Sequence, residues 1–262
     1  LPAMNVRSNG SFCVDWVLAQ PRHSTVLDFG CGAGSTVDAL REHGIDAYGC
    51  DVFYGGADRS GQVPATLLER GYVPRMSPNA IPFESGRFDL VINDTVLEHV
   101  ENLSSTLAEI GRVLKPGGKL LSLFPHHEVW FEWHVGLPFI HWIAPGSRAR
   151  RRYAAAMRAL GFGFHKSGKS IGAWSRDAAD YLDRWTHYRA RSAIEREFQR
   201  HFKGATGLEV AWLEHKFARS PRVTGAPAWL KRGAVSTLGG LVFECEKPAG
   251  ERTPRSPTVK QA

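Results

Sequence analysis

Cysteine is scarce in this chain of 262 residues. Cys13, Cys31, Cys50 and Cys245 form no Cys-x-x-Cys pair and no short spacing. That argues against a zinc cluster or a disulfide-stapled fold and points to a reducing cytoplasm. Long apolar runs are missing as well. The longest, residues 129–145, contains Glu132, His134 and His141 and is shorter than the ~20 residues a membrane-spanning helix needs. The first residues, LPAMNVRSNG, lack the basic and then apolar pattern of a secretory leader. Leu1 with Met4 close behind points to a fragment or an altered start. No internal repeat is visible.

What is present is ordinary for a globular protein: 43% hydrophobic and 23% charged residues, enough for one sizeable domain. The formal net charge of +7 invites nucleic acid or an anionic membrane as a partner. It is unevenly spread. Residues 1–124 carry 10 Lys/Arg against 14 Asp/Glu, and residues 125–262 carry 23 against 12. An acidic front and a basic back suggest different tasks.

The front half alternates strand and helix patterns. A helix is expected over 11–19, a buried strand over 25–29, a helix over 35–43 and a strand over 47–52. A further strand covers 88–93. Asn102 caps a helix with Leu103, Leu107, Ile110 and Leu114 at helical spacing, ended by Lys115-Pro-Gly-Gly118 before a strand at 119–124. Such alternation gives a doubly wound, mostly parallel sheet. From residue 125 to about 207 the pattern is helical without a clear strand, best over 147–160 and 176–202. Strands are expected again at 208–217 and 240–245, as an antiparallel pair at one sheet edge. The end, 248–262, reads as a disordered tail.

Residues 26–35, Val-Leu-Asp-Phe-Gly-Cys-Gly-Ala-Gly-Ser, join a strand to a helix. Gly30, Gly32 and Gly34 allow a tight turn and close approach of a ligand next to a helix N-terminus. Asp51 ends the next strand 17 residues beyond Gly34, where an acidic acceptor can bind a ribose diol. The spacing is Gly-x-Gly-x-Gly, not the dinucleotide fingerprint. Asp28 would oppose a pyrophosphate but suits the ammonium group of an amino-acid ligand. Both points favour S-adenosylmethionine over NAD.

On VLDFGCGAG (26–34), YGCDVF (48–53), AIPFESGRFDLVINDTVLEHV (80–100) and LAEIGRVLKPGGKLLSLFP (107–125), the chain resembles the class I S-adenosylmethionine-dependent methyltransferases, in the group with the ubiquinone/menaquinone-type enzymes. The resemblance implies a Rossmann-like fold in which Asp28 to Gly34 hold the methionine part of the cofactor, Asp51 the ribose, and Phe53 flanks the adenine. Where the family usually has an acidic residue for the adenine amino group, this chain has Met76-Ser-Pro-Asn79, so Ser77 and Asn79 stand in that place. Asn93 would face the amino-acid end of the cofactor and the transferred methyl. Asn93-Asp-Thr-Val lacks the Asp/Asn-Pro-Pro-Tyr pattern common in base-methylating enzymes.

An oxygen acceptor needs a base near the methyl group, and histidine suits. His127 and His126 directly follow a strand and are the first candidates. His99, in Leu97-Glu-His-Val100, reads as a packing or capping residue. Trp130, Trp133, His134 and His141 lie in an aromatic stretch and are candidates for the acceptor pocket. That stretch resembles an insert in methyltransferases near bacterial sugar and surface-polysaccharide pathways, with Leu-Pro-Phe-x-His-Trp at 137–142. His126, His127 and Glu128 make no metal site, because neighbours on an extended chain point opposite ways. Arg148, Arg150, Arg151 and Arg152, then Arg184, Arg189, Arg191, Arg196 and Arg200, suit an anionic acceptor, a carrier phosphate or a membrane surface, or form a solvated face.

The sequence therefore predicts one methyltransferase domain over 1–247: a cofactor core at 25–125, a helical insert at 126–207 and C-terminal strands at 208–247. The expected reaction is O-methylation of a small, sugar or carrier-linked acceptor. An RNA methyltransferase and a non-catalytic scaffold are the alternatives.

Overall fold

The computed structural model describes residues 6–21 and 24–250. The tail expected at 248–262 lies outside this range from residue 251, as do Leu1 and Met4. Helix α1 spans Asn9–Leu18, its first turn closed by Ser8, whose hydroxyl accepts from the Ser11 N–H at 3.1 Å. Then follow β1 (Thr25–Phe29), α2 (Ser35–Glu42), β2 (Asp46–Cys50), α3 (Ala65–Glu69), β3 (Phe88–Asp94), α4 (Leu103–Val113) and β4 (Leu114–Phe124). Leu114, expected at the end of the α4 pattern, opens β4 instead. Residues 115–118 remain in that strand as an irregularity in its pairing with β3.

The sheet runs β2-β1-β3-β4 in parallel, and α1, α2 and α4 lie across its faces. Alternation along β1 shows how one strand serves two faces. Val26 joins the core made by Phe12, Trp16, Val37 and Leu40. Leu27 and Phe29 join the opposite core with Leu103, Leu107 and Ile110. Asp28 therefore lies on the α1/α2 side.

After β4 comes the insert: a short hairpin of β5 (Phe131–Glu132) and β6 (Leu137–Pro138), then α5 (Arg148–Ala159), α6 (Ile171–Trp185) and α7 (Arg191–His201). The insert has a small core of its own, with Leu137, Ile140, Ala154, Trp174 and Leu182 buried together. The expected continuous helix over 176–202 is broken at 186–190. There the His187 N–H donates to the Glu98 carbonyl at 2.6 Å, and the Arg189 guanidinium reaches the carbonyls of Leu97, Val100 and Glu101. Tertiary hydrogen bonds to the β3–α4 connection outweigh helical propensity in this segment.

The chain closes with β7 (Lys203–Gly207), α8 (Glu209–Lys216), α9 (Pro221–Thr224), α10 (Ala228–Leu238) and β8 (Leu241–Glu246). Strand β8 is antiparallel to both β4 and β7, which completes the six-stranded order β2-β1-β3-β4-β8-β7. The antiparallel edge is thus present, but its outer strand is not where the sequence put it. Residues 209–216 form α8, flanked by Leu208 and Phe217, with Leu208, Trp212 and Leu213 packed on the core. Strand β7, KGATG, is exposed throughout and carries no apolar signal. The C-terminal segment 208–247 is accordingly mostly helical. Among the described residues, no helix is long and apolar enough to cross a membrane.

Candidate active site

The carboxyl ends of β1, β2 and β3 meet at one edge of the sheet, and a carboxylate lies at or near each end. Gly30, Gly32 and Gly34 all have positive φ, at 77°, 53° and 75°. Gly30 is needed for packing: a Cβ there would sit 2.4 Å from Val96 Cγ2. Gly32 is different, because the nearest atom to its Cβ position is Arg59 Cδ at 3.7 Å. No fold contact therefore forbids a side chain at Gly32, and its positive φ is what favours glycine there. Asp51 braces this loop, accepting from the Gly32 N–H at 2.9 Å and from the Phe53 N–H at 2.6 Å.

Asp28 is buried on the same edge. Burial, and then the charges of Asp94 and Asp51, push its carboxyl up to about 8. Cys13, Cys31 and Cys50 surround it as thiols, their pKa values raised chiefly by burial. Asp94 accepts from Asn9 Nδ2 at 2.8 Å and from the Thr95 hydroxyl at 2.7 Å. Three carboxylates crowded together in partial burial favour a cationic ligand. The ammonium and sulfonium of S-adenosylmethionine supply two positive charges, so the charge of the residues present fits that cofactor.

The other residues expected around the cofactor are placed as follows. Phe53 is buried at φ 49°, with the Arg75 guanidinium 5.0 Å from its ring centre. Ser77 and Asn79 lie on an exposed turn beside Met76, whose N–H donates to the Asp51 carbonyl at 2.9 Å. Asn93, expected at the methyl end, is fully buried instead. Its amide donates to Ser122 Oγ of the neighbouring strand at 2.8 Å, and Asp94 is the residue beside Asp28. The pleat decides this, because Asn93 and Asp94 must point to opposite faces.

The histidines are sorted in an unexpected way. His126 is buried, with Nδ1 2.8 Å from Glu128 Oε2, and Glu128 in turn receives the Arg191 N–H. His127 is partly exposed. Its carbonyl accepts from Trp142 Nε1 at 2.7 Å and from His141 Nε2 at 3.1 Å. The structure does not bring these two imidazoles to one point. It brings together His134, from the hairpin, and His99, from the turn after β3, with Nε2 atoms 3.1 Å apart. His99 Nδ1 donates to the Trp185 carbonyl at 2.5 Å, and His134 Nδ1 donates to Glu132 Oε1 at 2.5 Å.

Local geometry explains why His134 is there. Glu132 sits at the start of a tight hairpin turn and accepts the N–H groups of His134 and Val135, while Gly136 closes the turn at φ 74°. Tyr188 adds a hydroxyl to Glu132 Oε1 at 2.7 Å, and His141 packs its ring on Tyr188 with centres 4.8 Å apart. Tyr54, just after Asp51 and Phe53 beyond the end of β2, packs on His99 and Trp185. Burial opposes charge on His134, but the hydrogen bond and charge of Glu132, with Glu98, hold its pKa above the ordinary value. Burial lowers His99 to about 4 and raises Glu98 to about 8. Of the aromatic candidates, Trp130 and Trp133 are exposed, the latter donating to the Leu238 carbonyl at 2.7 Å.

A family model described as a methyltransferase domain matches residues 27–122. An uncharacterized methyltransferase of Mycolicibacterium gilvum is 30% identical over 197 residues, covering 71% of this chain and 69% of that protein. The chain belongs to the S-adenosylmethionine-dependent methyltransferases. A ubiquinone biosynthesis O-methyltransferase of Pseudomonas paraeruginosa is 27% identical over 166 residues, 59% of this chain and 63% of its own. An S-adenosylmethionine-dependent methyltransferase from Mesorhizobium loti has a similar fold, with TM-score 0.54 at 12% identity over 92% of this chain and 99% of that one. The chain spans 34% and 50% of the length of two other curated relatives, uncharacterized proteins of Streptomyces fradiae and Haemophilus influenzae.

Proposed function

We propose that this methyltransferase transfers the methyl group to a hydroxyl oxygen of a small or carrier-linked acceptor held between the sheet edge and the insert. The observation that supports the reading is the Glu98–His99–His134–Glu132 cluster, in which the insert sets His134 and Glu132 against Glu98 and His99 of the turn that follows Asp94. Bound S-adenosylmethionine supplies an electrophilic methyl group on a sulfonium, which an oxygen displaces in line. The protein's part is to orient the acceptor and to receive or polarise its proton. Asp28 and Asp94 are assigned to the cationic amino-acid end, Asp51 to the ribose as well as to the loop, and Phe53, Ser77 and Asn79 to the adenine side. Trp130 and Trp133, half-exposed on the insert, are assigned to the apolar flank of the acceptor.

Two of the nine arginines are engaged inside the fold and two more pair on the surface, which weakens an RNA footprint. Arg150 is buried against Asp183 and the Ile143 carbonyl, Arg189 holds backbone carbonyls, and Arg191 and Arg200 pair with Glu195 and Glu197. Peripheral contact with an anionic membrane stays part of the proposal through the exposed Trp130, Trp133, Trp142 and Trp229. A cytoplasmic setting agrees with four buried, unpaired cysteines.

The test is to incubate the full chain with methyl-labelled S-adenosylmethionine and with RNA, lipid, glycan and small-molecule fractions. The labelled product is then read by mass spectrometry and NMR. A methyl ether or ester in a non-RNA fraction is expected. Label on nitrogen or carbon, or confined to RNA, overturns the reading.

A further inference from the structure

Glu98 is nearly fully buried, and neither of its carboxylate oxygens has a hydrogen-bond partner. A carboxyl in that state is unfavourable unless something balances it. It faces the two imidazoles, with Oε1 3.9 Å from His99 Nε2 and 3.8 Å from His134 Nε2. We propose that Glu98, His99 and His134 bind a divalent transition-metal ion of the zinc or cobalt type, with one coordination position open to the oxygen of the acceptor. The site rests on the methyltransferase reading only for that last point.

Three features carry the inference. The ligating atoms, two imidazole nitrogens and one carboxylate oxygen, all lie within 4.8 Å of one another. Two ligands bound at the usual 2.0–2.1 Å around a tetrahedral ion stand ~3.4 Å apart, between the 3.1 Å and the 3.8–3.9 Å found here. The outer partners are also those of a metal site. A ligating histidine is held by its other ring nitrogen, donating to a carboxylate or a backbone carbonyl. His134 Nδ1 donates to Glu132 and His99 Nδ1 to the Trp185 carbonyl, so both Nε2 atoms are turned to the same point. Finally, an ion held between the two facing Nε2 atoms would give Glu98 the partner it lacks.

The ligand set is neutral imidazole, neutral imidazole and carboxylate, which suits zinc, cobalt or iron better than magnesium or calcium. Side-chain exposures of 13% at His99 and 17% at His134, against 0% at Glu98, place the open side toward the histidine faces. An acceptor hydroxyl ligated there becomes a stronger acid and loses its proton to solvent. Its oxygen then forms the carbon–oxygen bond as the carbon–sulfur bond of the donor breaks and the electron pair stays on sulfur.

The experiment uses the full chain freed of metal with a chelator and titrated with ZnCl2 in a calorimeter and with CoCl2 in a spectrophotometer. S-adenosylmethionine binding is measured in parallel. One equivalent of Zn2+ is expected, together with cobalt d–d absorption typical of four or five ligands. Both should weaken at least tenfold in Glu98→Gln and in His134→Ala, with S-adenosylmethionine binding retained. Glu132→Gln, which keeps all three ligands, should weaken the metal about 10–100-fold. Binding of less than a tenth of an equivalent by protein that still binds S-adenosylmethionine overturns the metal site alone. So does metal binding unchanged in both ligand variants. Loss of S-adenosylmethionine binding by the unaltered chain would instead count against the cofactor site.

Discussion

His99 and His134, 35 positions apart in sequence, meet at 3.1 Å between their Nε2 atoms, one carried by the turn after β3 and the other by the insert hairpin. Their outer nitrogens are fixed by Trp185 and Glu132, and Tyr188 fixes Glu132 through a hydrogen bond of 2.7 Å. Tyr188→Phe removes that last bond while keeping the ring. Methyl transfer should slow about tenfold, the scale of an outer-shell partner. Affinity for S-adenosylmethionine should hold, as measured by kcat beside calorimetric Kd. A parallel loss of cofactor affinity would show that Tyr188 acts only through the fold.

Asp28 makes cofactor binding a proton-linked event. Surrounded by Asp94, Asp51 and the thiols of Cys13, Cys31 and Cys50, its carboxyl is raised from 3.8 to about 8 and holds a proton at pH 7. A cationic ligand favours the ionised form. Binding should release a proton near pH 7, seen by calorimetry in buffers of different ionisation enthalpy, and affinity should rise from pH 6 to 8 and then level off. Without ligand the sign reverses for stability. The unfolded chain sheds this proton near pH 4 and the folded chain keeps it to about 8, so stability falls across that interval. Asp28→Asn should abolish both slopes and weaken cofactor binding by about 10–100-fold, the scale of a lost charge-assisted hydrogen bond.

Gly30 and Gly32 should separate folding from binding. Alanine at Gly30 adds left-handed strain to a 2.4 Å clash with Val96, together about 3 kcal/mol or more. Gly32→Ala meets nothing closer than 3.7 Å, so it should cost about 1–2 kcal/mol while blocking the ligand's approach. Thermal melts should show the larger drop for Gly30→Ala. Gly32→Ala should stay folded and bind S-adenosylmethionine at least tenfold more weakly.

Arg150 anchors the insert from within. Its guanidinium is buried, paired with Asp183 of α6 and bonded to the Ile143 carbonyl, and Asp183 also accepts the Gly146 N–H. Asp183→Ala leaves a buried cation unpaired and should cost about 3 kcal/mol, in line with one-sided removal of buried pairs. Urea unfolding and limited proteolysis of 126–202 would report it. Methyl transfer should fall in step with the loss of the insert.

Most of the cofactor half was legible because its turns and helices obey local rules, while Asn93 and Leu114 were misplaced by one position's choice of face or element. Strand β1 runs into a glycine turn and α4 carries a visible cap at Asn102, whereas the cap of α1 at Ser8 lies three residues before the start read from the sequence. The acceptor side follows no such rule. His99 lies within a recognisable motif yet gains its role from His134, whose position depends on a turn that Glu132 ties with its own carboxylate. The break at 186–190 is set by Glu98 and by backbone carbonyls of the β3–α4 connection. Strand β7 has no apolar face to announce it, and α8 hides behind Leu208, Trp212 and Leu213, which read equally well at a period of two. The arginines at 150 and 189 look like a charged surface in sequence and are internal fastenings in the fold.

The hairpin turn at 132–136 makes the insert more than a replaceable cover. This core without the hairpin keeps Glu98 and His99 but loses the imidazole that faces them, and a foreign insert joined to it leaves a buried acid exposed to whatever it brings. Exchange of acceptor range between relatives by swapping the segment after β4 is therefore constrained. A graft must carry its own answer to Glu98, or the recipient must lose that carboxyl at the same time.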